Sequence, residues 1–134
     1  MKRTTVAGLA LALAMTPALA AELPPICLAN AGHAMHDMGS GMAMGMGAGD
    51  QAHQDLMTGM DDMNRDMMAG ATASDIDVAF VCSMIPHHQG AIDMAKAELV
   101  HGDDPWAREM AQKVIDAQEA EIAEMLAWLA KQPG

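Results

Sequence analysis

Apolar residues recur every three or four positions through the second half of this chain, which is the spacing of one face of an α-helix. Three such stripes follow one another between positions 51 and 129, and a residue that can cap a helix N-terminus precedes each. Strand-favouring valine, isoleucine and aromatic residues are few, whereas alanine, glutamate and sixteen methionines favour helix. The pattern therefore predicts an all-α fold.

Each predicted helix lies between a capping residue and a helix breaker. We expect three long helices, over about 51–68, 74–100 and 105–132, with Pro86 as a kink inside the second. The caps and breakers are Asp50 and Gly70, Ser74 or Asp75 and Gly102, and Asp104–Pro105 and Pro133. Short connections favour a small antiparallel up-down bundle, and a fourth short helix is compatible with it.

The three stripes are expected to meet in one core. On the first helix the stripe comprises Leu56, Met60, Met63 and Met67, with His53 beside it. On the second helix it comprises Val81, Met84, His87, His88, Ala91, Met94, Ala95 and Glu98. On the third helix it comprises Trp106, Met110, Val114, Ala117, Met125 and Trp128, flanked by Ala111, Ile122 and Leu129. A core of this size is marginal by itself, so a metal, a disulfide or homo-oligomerisation is expected to assist it.

The first twenty residues have the pattern of a secretory signal peptide. Lys2 and Arg3 precede an apolar run, and Ala18-Leu19-Ala20 forms a cleavage pattern, so we place cleavage after Ala20. A membrane anchor would need about 20 apolar residues, and the run is shorter than that. The pattern predicts export to the periplasm.

The exported chain is expected to be strongly acidic. Cleavage leaves five basic residues against eighteen acidic ones, a net charge of −13. Such a charge disfavours binding to nucleic acid or to anionic membrane surfaces and attracts cations. Residues 21–49 are expected to form a flexible Met- and His-rich segment, and residues 50–134 the helical bundle.

The second helix carries the strongest chemical signal. Met84, His87, His88 and Met94 lie towards one side of it, which the stripe predicts to be the core side. Thioether sulfur prefers soft ions, so this donor set favours Cu(I), with Ag(I) as a surrogate and Cu(II) as an alternative. Methionine stripes also occur simply as core, which is the competing interpretation for Met60, Met63, Met67 and Met110.

A second group of soft donors lies before the helices. Within fourteen residues separated by Gly, Ala, Ser and Asp, it comprises His33, Met35, His36, Met38, Met42, Met44 and Met46. Because no amphipathic face is present, packing explains these residues poorly. We expect further copper ligands here, and a low-complexity linker is the alternative.

Two other pairs are expected to support the bundle site. Glu121 falls within the third stripe, with Gln118 at its edge, and a ring N–H of His87 or His88 would give the Glu121 carboxylate a partner. Solvation of Glu121 in a thin bundle is the alternative. Cys82 faces away from Met84, so a disulfide with Cys27 is expected, while a Cys27 thiolate joining the Met-rich segment is the weaker alternative.

The stretch around the two histidines resembles a known family, the CopM-like periplasmic copper-binding proteins, ferritin-like bundles formerly of unknown function. The family pattern is Met-Ile-x-His-His-Gln-x-Ala-Ile-x-Met-Ala with an aromatic residue four positions earlier. It is matched by Phe80, Met84, Ile85, His87, His88, Gln89, Ala91, Ile92, Met94 and Ala95, and Gln118, Glu121, Ile122, Trp128 and Leu129 are similar to its last helix. The resemblance covers residues 50–134 and implies a copper chaperone or buffer that uses the His pair and nearby Met.

We therefore expect a copper-binding protein of copper homeostasis or resistance rather than an enzyme. Its partners would be copper ions and another envelope copper protein or transporter, without nucleic acid or membrane insertion. A di-metal oxidase would need Glu-x-x-His pairs, which are absent, and a hydrolase lacks a nucleophile near His87. A partner-binding bundle without metal and a zinc-binding variant stay open as alternatives.

Overall fold

The computed structural model of the protein describes residues 23–28 and 50–133, and these ranges are helical without a strand. The helices are α1 (Pro25–Leu28), α2 (Gln51–Met57), α3 (Met60–Gly70), α4 (Ile76–His101) and α5 (Pro105–Leu129). The predicted all-α class is confirmed for this part of the chain. The predicted signal peptide lies outside the described residues.

Helix starts follow the predicted capping residues. The side chain of Asp75 accepts hydrogen bonds from the backbone N–H groups of the first turn of α4, and Asp104 accepts one from Ala107 at the start of α5. Asp50 does the same for α2. Each carboxylate satisfies donors that have no partner within the helix, so these bounds could be predicted from sequence.

The prediction of one continuous helix over residues 51–68 is wrong. The structure divides it into α2 and α3 at Thr58 and Gly59, because Gly59 adopts a φ of 84°, in the left-handed region. The predicted end of this helix is confirmed, because Gly70 is the last residue of α3. A Cβ at Gly70 would lie 2.7 Å from the carbonyl oxygen of Cys82, so its absence lets α3 pack closely against the α4 backbone.

The face that α4 buries also differs from the prediction. Of the predicted stripe, Ala95 is buried and Val81 packs against the core, but His87 is exposed and Met94 is 41% exposed, so the centre of the stripe is not the buried side. Instead α4 buries an aliphatic face whose large members are Val78, Ile85 and Ile92. At about 100° per residue this face lies roughly opposite the Met94 side of the helix. The sequence has two apolar faces on α4, and the structure buries the aliphatic one.

On helix α5, too, the buried side differs from the predicted one. Ala111, Ile122 and Leu129, predicted only to flank the stripe, are buried, whereas Trp106 is 71% exposed and Met110 is also exposed. Branched aliphatic side chains pack against the Ile85 side of α4, and this contact decides which side of α5 turns inward.

A disulfide between Cys27 and Cys82 lies within this core. Both cysteines are fully buried, and α1 contacts α3 and α4 beside them. The side of α4 that carries Cys82 is therefore part of the bundle interior. The disulfide holds the short N-terminal helix over the groove that α3 and α4 form on this side.

Helix α4 is central to the arrangement. It packs against α3 on one side and α5 on the other, and α3 and α5 hardly touch each other. The hydroxyl of Ser83 donates a hydrogen bond to the carbonyl oxygen of Met67 on α3. The guanidinium of Arg108, near the start of α5, donates to the carbonyl oxygens of Leu99 and Gly102 at the end of α4.

Helix α2 buries no residue, and a hydrogen bond between side chains links it to α4. The His101 ring nitrogen Nε2 lies 2.7 Å from a carboxylate oxygen of Asp55. The hydrogen bond from His101, and secondarily one from Gln51, holds the pKa of Asp55 below its usual value. The ionised carboxylate therefore contributes to the docking of α2.

We predict that loss of the disulfide destabilises the fold. The bridge joins residues 55 positions apart, so it restricts the unfolded chain strongly. Replacing both cysteines with alanine should lower the free energy of unfolding by about 2–4 kcal/mol. Urea denaturation of the two proteins measures this, and an unchanged midpoint would show that the bridge contributes nothing.

The Asp55 pair predicts a specific acid sensitivity. Because its folded pKa is depressed, Asp55 stabilises the fold above its unfolded pKa of about 3.9, and this contribution disappears as pH falls through the folded pKa. Asp55→Asn should therefore flatten the loss of stability below about pH 4, measured by thermal melts at successive pH values. Asp103→Asn, in the loop before α5, is the control and should keep the parental slope. Identical acid profiles for the parent and Asp55→Asn would contradict the assignment.

Candidate metal site

The Met- and His-bearing side of α4 is left open between its two neighbouring helices. We call this side the open face and define it by Phe80, Met84, His87, Ala91 and Met94. At about 100° per residue these five residues fall within one sector of the helix, away from the buried aliphatic side. Phe80, His87 and Met94 are exposed, and Met84 and Ala91 are half-buried. Donor atoms here are accessible to an ion from solvent.

A methionine of α3 reaches α4 beside this face. A Cβ at Gly90 would overlap the sulfur of Met63, so that sulfur occupies the space that the missing side chain leaves. Gly90 lies three residues after His87 and four before Met94, which is about one helical turn from each. The structure therefore brings a thioether from a second helix to the part of α4 that carries His87 and Met94.

The other α3 methionines lie one turn on either side of Met63. Met60 and Met67 are half-buried, as is Met63 itself, while Met68 is 50% exposed. The methionines of the stripe predicted for the first helix thus lie towards α4, although the helix that carries them, α3, begins only at Met60. None of these methionines is fully enclosed in the core.

His88 points towards α5 and has both ring nitrogens engaged. Nδ1 lies 2.8 Å from the carbonyl oxygen of Met84, and Nε2 lies 2.7 Å from a carboxylate oxygen of Glu121. The carbonyl accepts only, so Nδ1 donates to it and Nε2 is the nitrogen left to meet either Glu121 or an ion. An ion bound at Nε2 would have to take the place of this contact with Glu121.

His87 lies in a different environment from its neighbour. The two ring centroids are 5.9 Å apart at an interplanar angle of 64°, so the rings do not present their nitrogens side by side. Within residues 23–28 and 50–133 no hydrogen bond or ion pair holds the His87 ring. Its nitrogens are therefore available on the open face, on the side that faces α3.

The residues of α5 that were predicted to support the site lie at different distances from it. Glu121 contacts His88, as predicted, and its side chain is also half-exposed, as the alternative of a solvated Glu121 predicted. Gln118 is half-buried on the same helix. Met110 lies eleven residues before Glu121, about 16 Å along the helix axis, and is not brought to His87.

Part of the predicted ligand set lies outside the described residues. It comprises His33, Met35, His36, Met38, Met42, Met44 and Met46. In the described ranges no three His, Cys, Asp or Glu side chains come together as metal ligands. A metal site in this part of the chain would therefore depend on thioether sulfur.

Sequence reasoning missed the role of Gly90. A glycine inside a predicted helix is a signal of close approach by another group, and here that group is the Met63 side chain. It also missed the hydrogen bond between Asp55 and His101 that links α2 to α4, because the two residues are 46 positions apart and no local pattern links them.

These features define a small all-helical domain whose soft donor side chains lie along one accessible helix face. A family model described as a domain of unknown function, DUF305, matches residues 13–129. The chain belongs to this family of ferritin-like helical domains. No curated protein matches the chain. None of the helices in the described ranges is both long and apolar enough to cross a bilayer.

Proposed function

We propose that the protein binds Cu(I) in the periplasm through methionine and histidine side chains of the open face and of α3. The observation that carries the proposal is the Met63 sulfur lying against Gly90, one turn from both His87 and Met94. Two thioethers and one imidazole from two helices can thereby approach one ion. Softness of sulfur favours the cuprous ion over harder cations.

The donor chemistry favours copper over zinc. Zinc sites in proteins use Cys, His, Asp and Glu, usually four of them around one ion. The described residues bring no three of these together, and both cysteines are held in the disulfide. Cu(I) accepts thioether ligands, so it uses the methionines that zinc would leave unexplained.

The ligands have separate roles in this proposal. His87 supplies the imidazole nitrogen, and Met63 and Met94 supply sulfur. Met60 and Met67, one turn from Met63 on α3, and Met84 on the open face are the proposed exchange ligands. His88 and Glu121 fasten α4 to α5 and orient that side of the site, with Gln118 beside them. Ag(I) would serve as a surrogate ion, and Cu(II) is the oxidised alternative. The predicted ligands of residues 33–46 would bind additional copper.

The accessibility of the site supports transfer or buffering of copper. An exposed ion can be handed to another protein by ligand exchange, whereas a buried ion must wait for local unfolding. The expected recipient is an envelope copper protein or transporter, and we propose no enzymatic reaction. The antiparallel up-down arrangement stays a prediction, supported by the pairing of Arg108 with Leu99 and of Glu121 with His88.

Competition against a Cu(I)-specific chelator tests the proposal. Met63→Leu keeps volume but removes the sulfur, so it should weaken the bundle site by about tenfold or more. Met68→Leu, an exposed methionine of the same helix, is the matched control and should bind as the parent does. Equal affinities for all three proteins would remove Met63 from the site, and failure of the parent to compete would reject copper binding.

The histidines and the N-terminal donors are tested by the same titration. His87→Ala should weaken the bundle site more than His88→Ala, because His88 is engaged with Glu121 and Met84. The double substitution should weaken it most. Deletion of residues 31–49 should lower the number of bound ions and leave the bundle site. Parental binding by the double variant would contradict the assignment.

A further inference from the structure

The open face of α4 has the spacing of a coiled-coil seam. Phe80, Met84, His87, Ala91 and Met94 follow one another at intervals of four, three, four and three residues. This is the a/d spacing with which two helices pack side by side along their length. Ile76 extends the seam at one end and Glu98 at the other. Helices α2 and α3 flank this side of α4 along one edge and α5 along the other, and α1 lies at Cys82, so none of the described helices covers the seam.

Large apolar side chains on this seam are in contact with solvent. Ile76 is 80% exposed and Phe80 is 63% exposed, which is unusual for neighbouring large apolar residues of one helix face. From Phe80 to Met94 the seam carries no Asp, Glu, Lys or Arg, although the chain has eighteen acidic residues. An apolar, uncharged centre of this kind is typical of protein interfaces.

We propose that a second copy of this chain packs on the seam, with the two α4 helices antiparallel about a two-fold axis at His87. In this register Phe80 faces the partner's Met94, and Met84 faces the partner's Gly90 with Ala91 beside it. Apolar side chains thereby meet on both sides of the axis, and Met84 has room next to two small residues. A two-fold axis requires a surface that is complementary to itself, because every contact between two different residues occurs twice, once in each direction across the axis.

The size of the face fits a dimer of this chain. From Ile76 to Glu98 the seam is about 34 Å long. With neighbouring helices about 9 Å to either side, the face covers on the order of 600 Å². Standard protein interfaces bury about 600–1,000 Å² on each partner. A second copy covers the face along its length, whereas a short peptide would cover only part of it.

The pairing would complete the copper site, a consequence that rests on the proposed function. The axis passes at His87, so the imidazoles of both copies approach it, with Met84 and Met94 of each chain on either side. One ion could then take donors from both copies. The pairing itself depends on the apolar seam and does not need copper.

Sedimentation equilibrium of the chain from residue 21, without metal and over a range of concentrations, tests the proposal. The parent should be dimeric, and Phe80→Glu should weaken dimerisation by about tenfold or more, because it places a charge against the apolar side chain of the partner's Met94. Val100→Glu is the matched control: Val100 is 73% exposed on α4 but lies away from the seam. It should leave the dimer intact, and circular dichroism checks that both variants fold.

The outcomes separate the dimer from copper binding. A metal-free dimer that Phe80→Glu disrupts supports the pairing even if the protein fails to bind Cu(I). A parent that is monomeric with and without Cu(I) overturns it. So does a dimer that Phe80→Glu leaves unchanged, or a monomer that dimerises only after deletion of residues 29–49, since that segment would then be the occupant of the seam.

Discussion

The structure depends on which of two apolar faces α4 buries. Val78, Ile85 and Ile92 pack inward with the fully buried Cys27–Cys82 disulfide, and this choice turns the opposite side of the helix outward. Branched aliphatic side chains fill a close-packed core with less loss of freedom than methionine does. The methionines and His87 are therefore left on an accessible surface, where they can meet an ion.

Much of the fold was readable from local sequence. Asp50, Asp75 and Asp104 begin helices because each carboxylate accepts from free backbone N–H groups nearby, and a local signal of this kind is specific. The break at Gly59 was not readable, since glycine occurs within helices as well as at their ends. Its φ of 84° shows which role it has here.

The orientation of α4 could not be predicted from periodicity. A helix with apolar residues on two sides satisfies the helical spacing with either side inward. The choice depends on contacts between residues far apart, such as Cys27 with Cys82 and Ile85 with the Ile122 side of α5. Periodicity also could not show which of the two adjacent histidines faces a neighbouring helix, because they lie about 100° apart around α4. The structure sends His88 to Glu121 and leaves His87 on the open face.

The central claim is that thioether sulfur and a histidine nitrogen converge on one cuprous ion. X-ray absorption at the copper edge of the bundle, loaded with one Cu(I) per chain after deletion of residues 31–49, measures this directly. The account predicts sulfur neighbours together with a nitrogen neighbour, and a loss of sulfur scattering in Met63→Leu but not in Met68→Leu. A coordination shell of nitrogen and oxygen alone would contradict it.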